Sequence, residues 1–364
     1  MRQFNAIFLV IGTAIGAGML GMPVEMGKGG FFPGFFALII TWFFSVMSGL
    51  FFLKALSHVK QGANFLTLSE SILSKSSRVY IVFLYLLLFL SLLFAYVKGG
   101  GVFVSESVTG ISIPFGTLCF VLFFLPFLIG GHSFVGLINS ILAMLLAVSF
   151  VCLISMGHGE VNYDLLSRQN WNKTFSCIPL LVTSFGFQGV IPSLYNYLEG
   201  NEKEVMRSII LGSLFVLVVY ILWNGYILGI VPLNGDVSLA SASLNDQTAI
   251  SPLCHFLGSS KIALFARVFY FCALTTSFLG VSISLMDFLK DALKLEHNLK
   301  TRAKLSFVLF IPALFLSGTS LRIFYLSLKY GAGITAIILL LLFPASLVFM
   351  LKRKQSHENH LRSL

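Results

Sequence analysis

The sequence predicts an all-α membrane protein with ten transmembrane helices in two inverted five-helix repeats, helices 1 and 6 being interrupted. Three observations predict it. First, 57% of the 364 residues are hydrophobic and only 10% are charged, against roughly 25% charged in a soluble domain. Second, the apolar residues fall in ten long runs, near the ~20 residues a helix needs to cross hydrocarbon. Third, runs one and six each carry a glycine cluster followed by a proline.

In chain order the runs are residues 4–25, 33–56, 79–102, 115–131, 135–156, 177–198, 208–231, 262–286, 304–317 and 330–351. The fourth is only just long enough to span and the ninth is short. Hydrocarbon cannot hydrogen-bond an open backbone, so these are helices; their continuous apolar character lacks the alternation of a barrel strand. Between the second and third runs, residues 57–78 are polar but punctuated by Phe65, Leu66, Leu68, Ile72 and Leu73, a spacing that predicts an amphipathic connector on the membrane surface. The stretches 157–176 and 232–261 read as solvated loops.

Lys and Arg number 24 against 14 Asp and Glu, a net charge of +10. The cations lie mostly between apolar runs, where they set orientation, so no nucleic-acid partner is expected. With the N-terminus cytoplasmic, sixteen fall on the inner side and seven on the outer (Lys28, Lys98, Arg168, Lys173, Lys261, Arg322 and Lys329), with Arg267 inside the eighth run. That bias predicts a cytoplasmic N-terminus, and an even number of spans returns the C-terminus to the same side. The five cysteines form no C-x-x-C pair, so neither a disulfide framework nor a zinc site is indicated. No metal and no cofactor is expected. The runs contain no G-x-S-x-G motif or H-E-x-x-H pair, which argues against an intramembrane enzyme.

The first cluster runs Gly12, Thr13, Ala14, Ile15, Gly16, Ala17, Gly18, then Gly21 and Pro23; the second runs Ser184, Phe185, Gly186, Phe187, Gln188, Gly189, then Pro192. An isolated spanning helix needs no such density of weak helix formers, although small residues also serve close helix packing. Runs one and six correspond if the ten divide into halves, residues 1–156 and 177–351, joined by an outer loop 157–176 and followed by a basic tail 352–364. Five is odd, so the second half enters from the opposite side, as in transporters built from inverted repeats. A helix unwound at the midplane offers amides and a positive helix end to a carboxylate, and freed carbonyls to an ammonium group or cation. An amino acid zwitterion suits both.

Four ordered stretches carry a resemblance: residues 12–23 (Gly-Thr-Ala-Ile-Gly-Ala-Gly-Met-Leu-Gly-Met-Pro), 95–101 (Ala-Tyr-Val-Lys-Gly-Gly-Gly), 183–193 (Thr-Ser-Phe-Gly-Phe-Gln-Gly-Val-Ile-Pro-Ser) and 276–280 (Thr-Ser-Phe-Leu-Gly). Over nearly the whole chain the sequence resembles the bacterial aromatic amino acid permeases, the tyrosine- and tryptophan-specific proton symporters of the amino acid/polyamine/organocation superfamily. The resemblance implies a carrier in the bacterial inner membrane that imports an aromatic amino acid, tyrosine foremost, by proton-coupled alternating access. The alternative is a tryptophan or broad neutral amino acid symporter, sodium-coupled in some relatives of the wider fold. The amides of Ala17 and Gly18 would receive the carboxylate, and carbonyls near Ala14 and at Ser184, Phe185 and Gly186 the ammonium group. Two departures stand out. Relatives commonly carry histidine where Gln188 stands, and glutamine does not titrate. Relatives also usually have an eleventh span, peripheral to the repeats.

The expected substrate contacts are therefore Ala14, Ile15, Gly16, Ala17, Gly18, Tyr96, Ser184, Phe185, Gly186, Phe187 and Gln188. Tyr96 offers a hydroxyl and a ring, and Phe185 and Phe187 offer rings. Ala273, Thr276 and Ser277 share one helical face, and the resemblance to sodium-coupled members of the wider fold implies that they, with carbonyls of Gly12 and Ile15, are candidates for ion coupling. Intramembrane ionisable groups are costly and hence functional by default. Lys98 is the titrating candidate, because a buried lysine loses its proton readily. Arg267 is expected to pair with a carboxylate or hold a gate. Glu25, Glu106 and Glu199, near span ends, read as solvated anchors.

Overall fold

The computed structural model describes residues 2–59, 65–73, 77–245, 248–296, 298–319 and 327–362, so Lys60, Lys75 and Arg322 of the charge tally lie outside the described residues. Every regular element among the described residues is helical. Eight helices are long and apolar enough to cross a membrane, or nine when one bent pair is counted as a single span.

That pair is the first span. Helix α1 covers Arg2–Ala14 and α2 Ala17–Gly27, bent by 53° at the break. The next four are α3 (Phe31–Leu56), α4 (Ser77–Ser107), α5 (Ile113–Gly130) and α6 (His132–Gly157). The sixth span is also divided: α7 (Ile178–Ser184), a 3-10 turn at Phe187–Val190, and α8 (Ile191–Tyr197). After it come α9 (Glu202–Ile230), α10 (Ser260–Ala292), α11 (Leu299–Thr319) and α12 (Phe343–Arg362). Two π turns, Ser327–Ala332 and Ile337–Leu342, lead into α12.

Packing places the two divided spans at the centre. Helix α9 lies along α1, α2 and α3, α10 contacts α2, α4 and α6, and α7 packs on α2 and α3. Polar side chains fasten these contacts where apolar surface alone has no preference in lipid. The Trp42 indole donates to Ser213 Oγ at 3.1 Å, joining α3 to α9, and the Tyr270 hydroxyl donates to Gly99 O at 2.9 Å, joining α10 to α4.

Four expectations need correcting. Lys98, counted with the outer cations, sits buried inside α4, which continues to Ser107. The glycines after it are contact points within that helix. A Cβ on Gly101 would collide with the Thr117 hydroxyl, and one on Gly100 with the Phe120 ring. The seventh span starts earlier than expected, at Glu202, where the Asn201 side chain accepts from the Glu204 amide at 3.3 Å and two acids lie in the first turn, favourable at a helix N-terminus. The ninth run, already short, falls within a longer helix than expected, α11, which starts at Leu299 and is not among the eight long apolar helices. Its first turns hold Lys300, Arg302 and Lys304, leaving a short apolar remainder. The loop 157–176 is not simply solvated. It carries short helices at Tyr163–Ser167 and Trp171–Thr174 and folds over the end of α2. There the Arg168 guanidinium donates to Gly27 O, and the Asn170 amide donates to Gly29 O at 2.6 Å.

Candidate functional site

The site is built from backbone groups that two helix breaks release. Ala14 ends α1 and Ala17 begins α2, with Gly16 between them extended at φ −173°, ψ −154°. Any residue adopts that backbone; glycine is required by proximity, since a Cβ there would meet the Ser277 hydroxyl of α10. Ser277 Oγ in turn accepts from the Ala17 amide at 2.9 Å, and the Tyr96 side chain of α4 lies near it. One break thus reaches α10 and α4 together.

The second break touches the first. A Cβ on Gly18 would stand 2.6 Å from Ser184 Oγ and 3.3 Å from Ser184 Cα. Between the freed carbonyls stands one phenol: the Tyr220 hydroxyl of α9 lies 2.6 Å from Ala14 O and 2.9 Å from Ser184 O. The Phe185 ring lies 5.1 Å from the Tyr220 ring. One turn along α9, the Trp223 indole donates to Met19 O at 2.8 Å. The reason is local: Pro23 has no N–H, so the carbonyl four residues before it has no helical donor.

The other expected residues are placed as follows. Ile15 is half-buried, its amide bonded to Ile11 O at 2.9 Å, and Gly12 is exposed. The Ser184 hydroxyl is spent on Leu180 O at 2.8 Å. The Gly186 amide donates to Thr183 O at 3.1 Å and the Phe187 amide to Phe185 O at 2.8 Å. Phe187 packs on Gly49, and the Gln188 amide donates to Ser45 O at 3.3 Å, so both face α3. Gln188 Oε1 is buried without a partner among the described residues. Ala273 is buried with its carbonyl beside Gly16, and the Thr276 hydroxyl bonds back to Cys272 O at 2.9 Å. Lys98 is buried in α4. The structure therefore gathers Ala14, Gly16, Ala17, Gly18, Tyr96, Ser184, Phe185, Ala273 and Ser277, while Phe187 and Gln188 face α3.

At the other end of α2 a second polar group forms. Glu25 is 2% exposed; its carboxylate meets Lys28 Nζ at 2.5 Å, Lys329 Nζ at 2.9 Å and Ser176 Oγ at 3.4 Å. The solvated anchor expected of Glu25 is corrected, because the loop 157–176 and the turn at Ser327–Ala332 close over it. Nearby in the same loop, partial burial lowers the pKa of Arg168, whose charge faces the C-terminal carbonyls of α2. Arg267 and Glu106 line one small cavity with Tyr270.

Residues 1–362 match the model of the tryptophan/tyrosine permease family. The chain belongs to that family. Among similar permeases, the tyrosine-specific transport system 1 of Haemophilus influenzae is 31% identical over 362 residues, covering 98% of this chain and 90% of that one. The tryptophan-specific transport protein of the same organism is 29% identical, covering 95% and 87%. The low affinity tryptophan permease of Escherichia coli is 27% identical, covering 96% and 88%. In fold the permease is similar to a nucleobase-cation-symport-1 family transporter solved in a closed conformation with bromovinylhydantoin bound. The TM-score is 0.62 at 16% identity, covering 93% of this chain and 77% of that one. The protein is thus a membrane permease with a transporter fold.

Sequence reasoning missed three contributors in this permease: Tyr220, Trp223 and the buried Glu25–Lys329 pair. A signal existed for the first two. Tyr220, Trp223 and Asn224 recur at i, i+3 and i+4 after an apolar stretch of the helix, and amphipathic tips on one helical face are placed to cap released backbone groups.

Proposed function

We propose that this permease imports an aromatic amino acid, tyrosine foremost, across the bacterial inner membrane by proton-coupled alternating access. The observation that carries this reading is the meeting of the two helix breaks, where the Ala17 amide begins α2 and the Ala14 and Ser184 carbonyls end α1 and α7 at one shared phenol. A zwitterion has a carboxylate for the first and an ammonium group for the second. The tyrosine- and tryptophan-specific relatives support the substrate class.

In this reading the ten helices form two inverted repeats, residues 1–156 and 177–351, with both termini cytoplasmic. Substrate contacts come from Ala14, Ile15, Gly16, Ala17, Gly18, Tyr96, Ser184, Phe185 and Gly186, with Phe187 and Gln188 bounding the site against α3. Gly12, Ile15, Ala273, Thr276, Ser277 and Lys98 serve ion coupling. The test is uptake of labelled tyrosine into proteoliposomes, in competition with tryptophan, phenylalanine and leucine, with pH and sodium gradients imposed separately. Saturable tyrosine uptake that follows the pH gradient is expected. Uptake driven by sodium alone, or preferring leucine, would replace the reading with the broader symporter.

A further inference from the structure

We infer that a cavity walled by the loop 157–176, the turn between α2 and α3 and the end of α9 binds a free aromatic amino acid, at a site apart from the two helix breaks. The inference rests on the proposed function for the class of ligand and for placing this face outside.

The cavity measures about 260 Å³, several times the roughly 30 Å³ share of one water and near the lower range of small-molecule sites. Its floor is apolar: Leu228, Leu233 and Leu239 line it and also close around Gly27 at the end of α2. Phe31, at the start of α3, adds a ring to the wall, which suits an offset or edge contact with a second ring. Backbone bonds fix these walls before any ligand arrives. The Asn162 amide donates to Gly229 O at 2.7 Å, the Asn170 amide to Gly29 O at 2.6 Å, and the Leu239 and Ala240 amides to Pro232 O and Leu233 O at 3.0 Å and 2.9 Å. A pocket arranged in advance loses less freedom on binding.

Two opposite charges line this apolar cavity, Asp164 and Arg168. They stand four residues apart, at the short helix Tyr163–Ser167 and just after it, the spacing at which solvated side chains pair with each other. Here they do not. The guanidinium turns instead to Gly27 O, which engages one of its five N–H donors. The Asp164 carboxylate has neither a hydrogen bond nor an ion pair among the described residues; only its backbone groups are bonded, to Asn162 and Ser167. A carboxylate for Arg168, an ammonium group for Asp164 and a ring for Phe31 satisfy all three at once, and an aromatic amino acid carries that set. Arg168 keeps its bond to Gly27 O while it takes the carboxylate. The ligand then waits beside the far end of the half-span whose other end presents the Ala17 amide.

The test is binding of labelled tyrosine to the purified full-length permease in phosphatidylcholine nanodiscs, for wild type, Gly18→Leu, Asp164→Asn and the double variant. Gly18→Leu blocks the meeting of the breaks, so two equivalents per chain are expected in wild type and one in that variant. Adding Asp164→Asn weakens the remaining equivalent on the order of tenfold, the loss of a charge-assisted hydrogen bond. The deaminated analogue 3-(4-hydroxyphenyl)propionate, with no ammonium group, is expected to compete equally weakly with and without Asp164→Asn, which a merely structural role of Asp164 would not produce. Should Gly18→Leu not fold, wild type decides by whether its second equivalent is lost in Asp164→Asn. A Gly18→Leu variant that binds no tyrosine, or binds it with the same affinity after Asp164→Asn, overturns the proposal. So does an Asp164-dependent rise in melting temperature given by phosphatidylethanolamine and not by tyrosine, which would assign the cavity to a lipid headgroup. Failure of the proposed function reads differently: wild type then takes up no tyrosine into proteoliposomes, while the Asp164-dependent equivalent still stands.

Discussion

The two halves of the first span are opposites. Every residue of α2 is buried, whereas only Ala6, Val10 and Ala14 are buried in α1. Each half has an ion pair at its far end. Glu25 and Lys329 pair with side chains 3% and 15% exposed, while Arg2 and Glu199 pair at 2.5 Å with side chains 65% and 73% exposed. A pair in water is screened and worth little, whereas a buried carboxylate that loses its partner is an uncompensated charge. The burial that holds span 1 in place is therefore concentrated in α2, at the Glu25 end. Helix α1 has far fewer buried contacts to lose on moving, which is the physical content of a mobile element.

Substitutions sharpen or break this contrast, beginning with the largest effect. Gly18→Leu drives a side chain into Ser184 and its backbone, and overpacking of that kind displaces one break from the other. Uptake in whole cells is expected to fall to background with the protein still present in the membrane by immunoblot. Normal uptake would mean the breaks need not touch.

Glu25→Gln strands Lys329 in a covered site, and a cost of about 3–5 kcal/mol is expected from melting in detergent. Adding Lys329→Met should restore most of it, because it removes the more deeply buried stranded partner, while Lys28, 34% exposed, turns to solvent. An additive double variant would show that the pair does not close the Glu25 end.

Ser277→Ala leaves the Ala17 amide without its acceptor, an expected loss of roughly 1–3 kcal/mol, together with weakened substrate binding, whereas Thr276→Val should matter less because its hydroxyl bonds only its own helix. Smallest of all, Arg2→Gln should leave the melting temperature within measurement scatter, since both partners stand in solvent. If that variant destabilises as much as Glu25→Gln, the contrast between the halves fails.

Most of the architecture was legible in the chain, and particular residues explain where it was not. Gly12 to Pro23 and Ser184 to Pro192 marked the interruptions because weak helix formers and proline act through local backbone energetics. Gly100 and Gly101 lie inside the third run and inside α4, but that they are the points where Phe120 and Thr117 press against the helix is decided by packing. Ser277 was named as a hydroxyl facing the first span, but its bond to the Ala17 amide depends on how closely α10 approaches. Phe187 and Gln188 sit in the right segment, yet a 3-10 turn aims them at α3.

By itself the sequence determined that the protein lives in a bilayer, roughly where most of the long helices run, and which two spans come apart. Those properties follow from transfer of apolar runs into hydrocarbon and from backbone propensity, both of which act over a few residues. Only the tertiary structure decided what answers the released groups: Tyr220 between Ala14 and Ser184, Trp223 on Met19, and Lys329 on Glu25. These partners are separated by up to 304 positions, and a buried polar group takes whichever donor or acceptor the packing delivers, a choice that chain spacing does not encode.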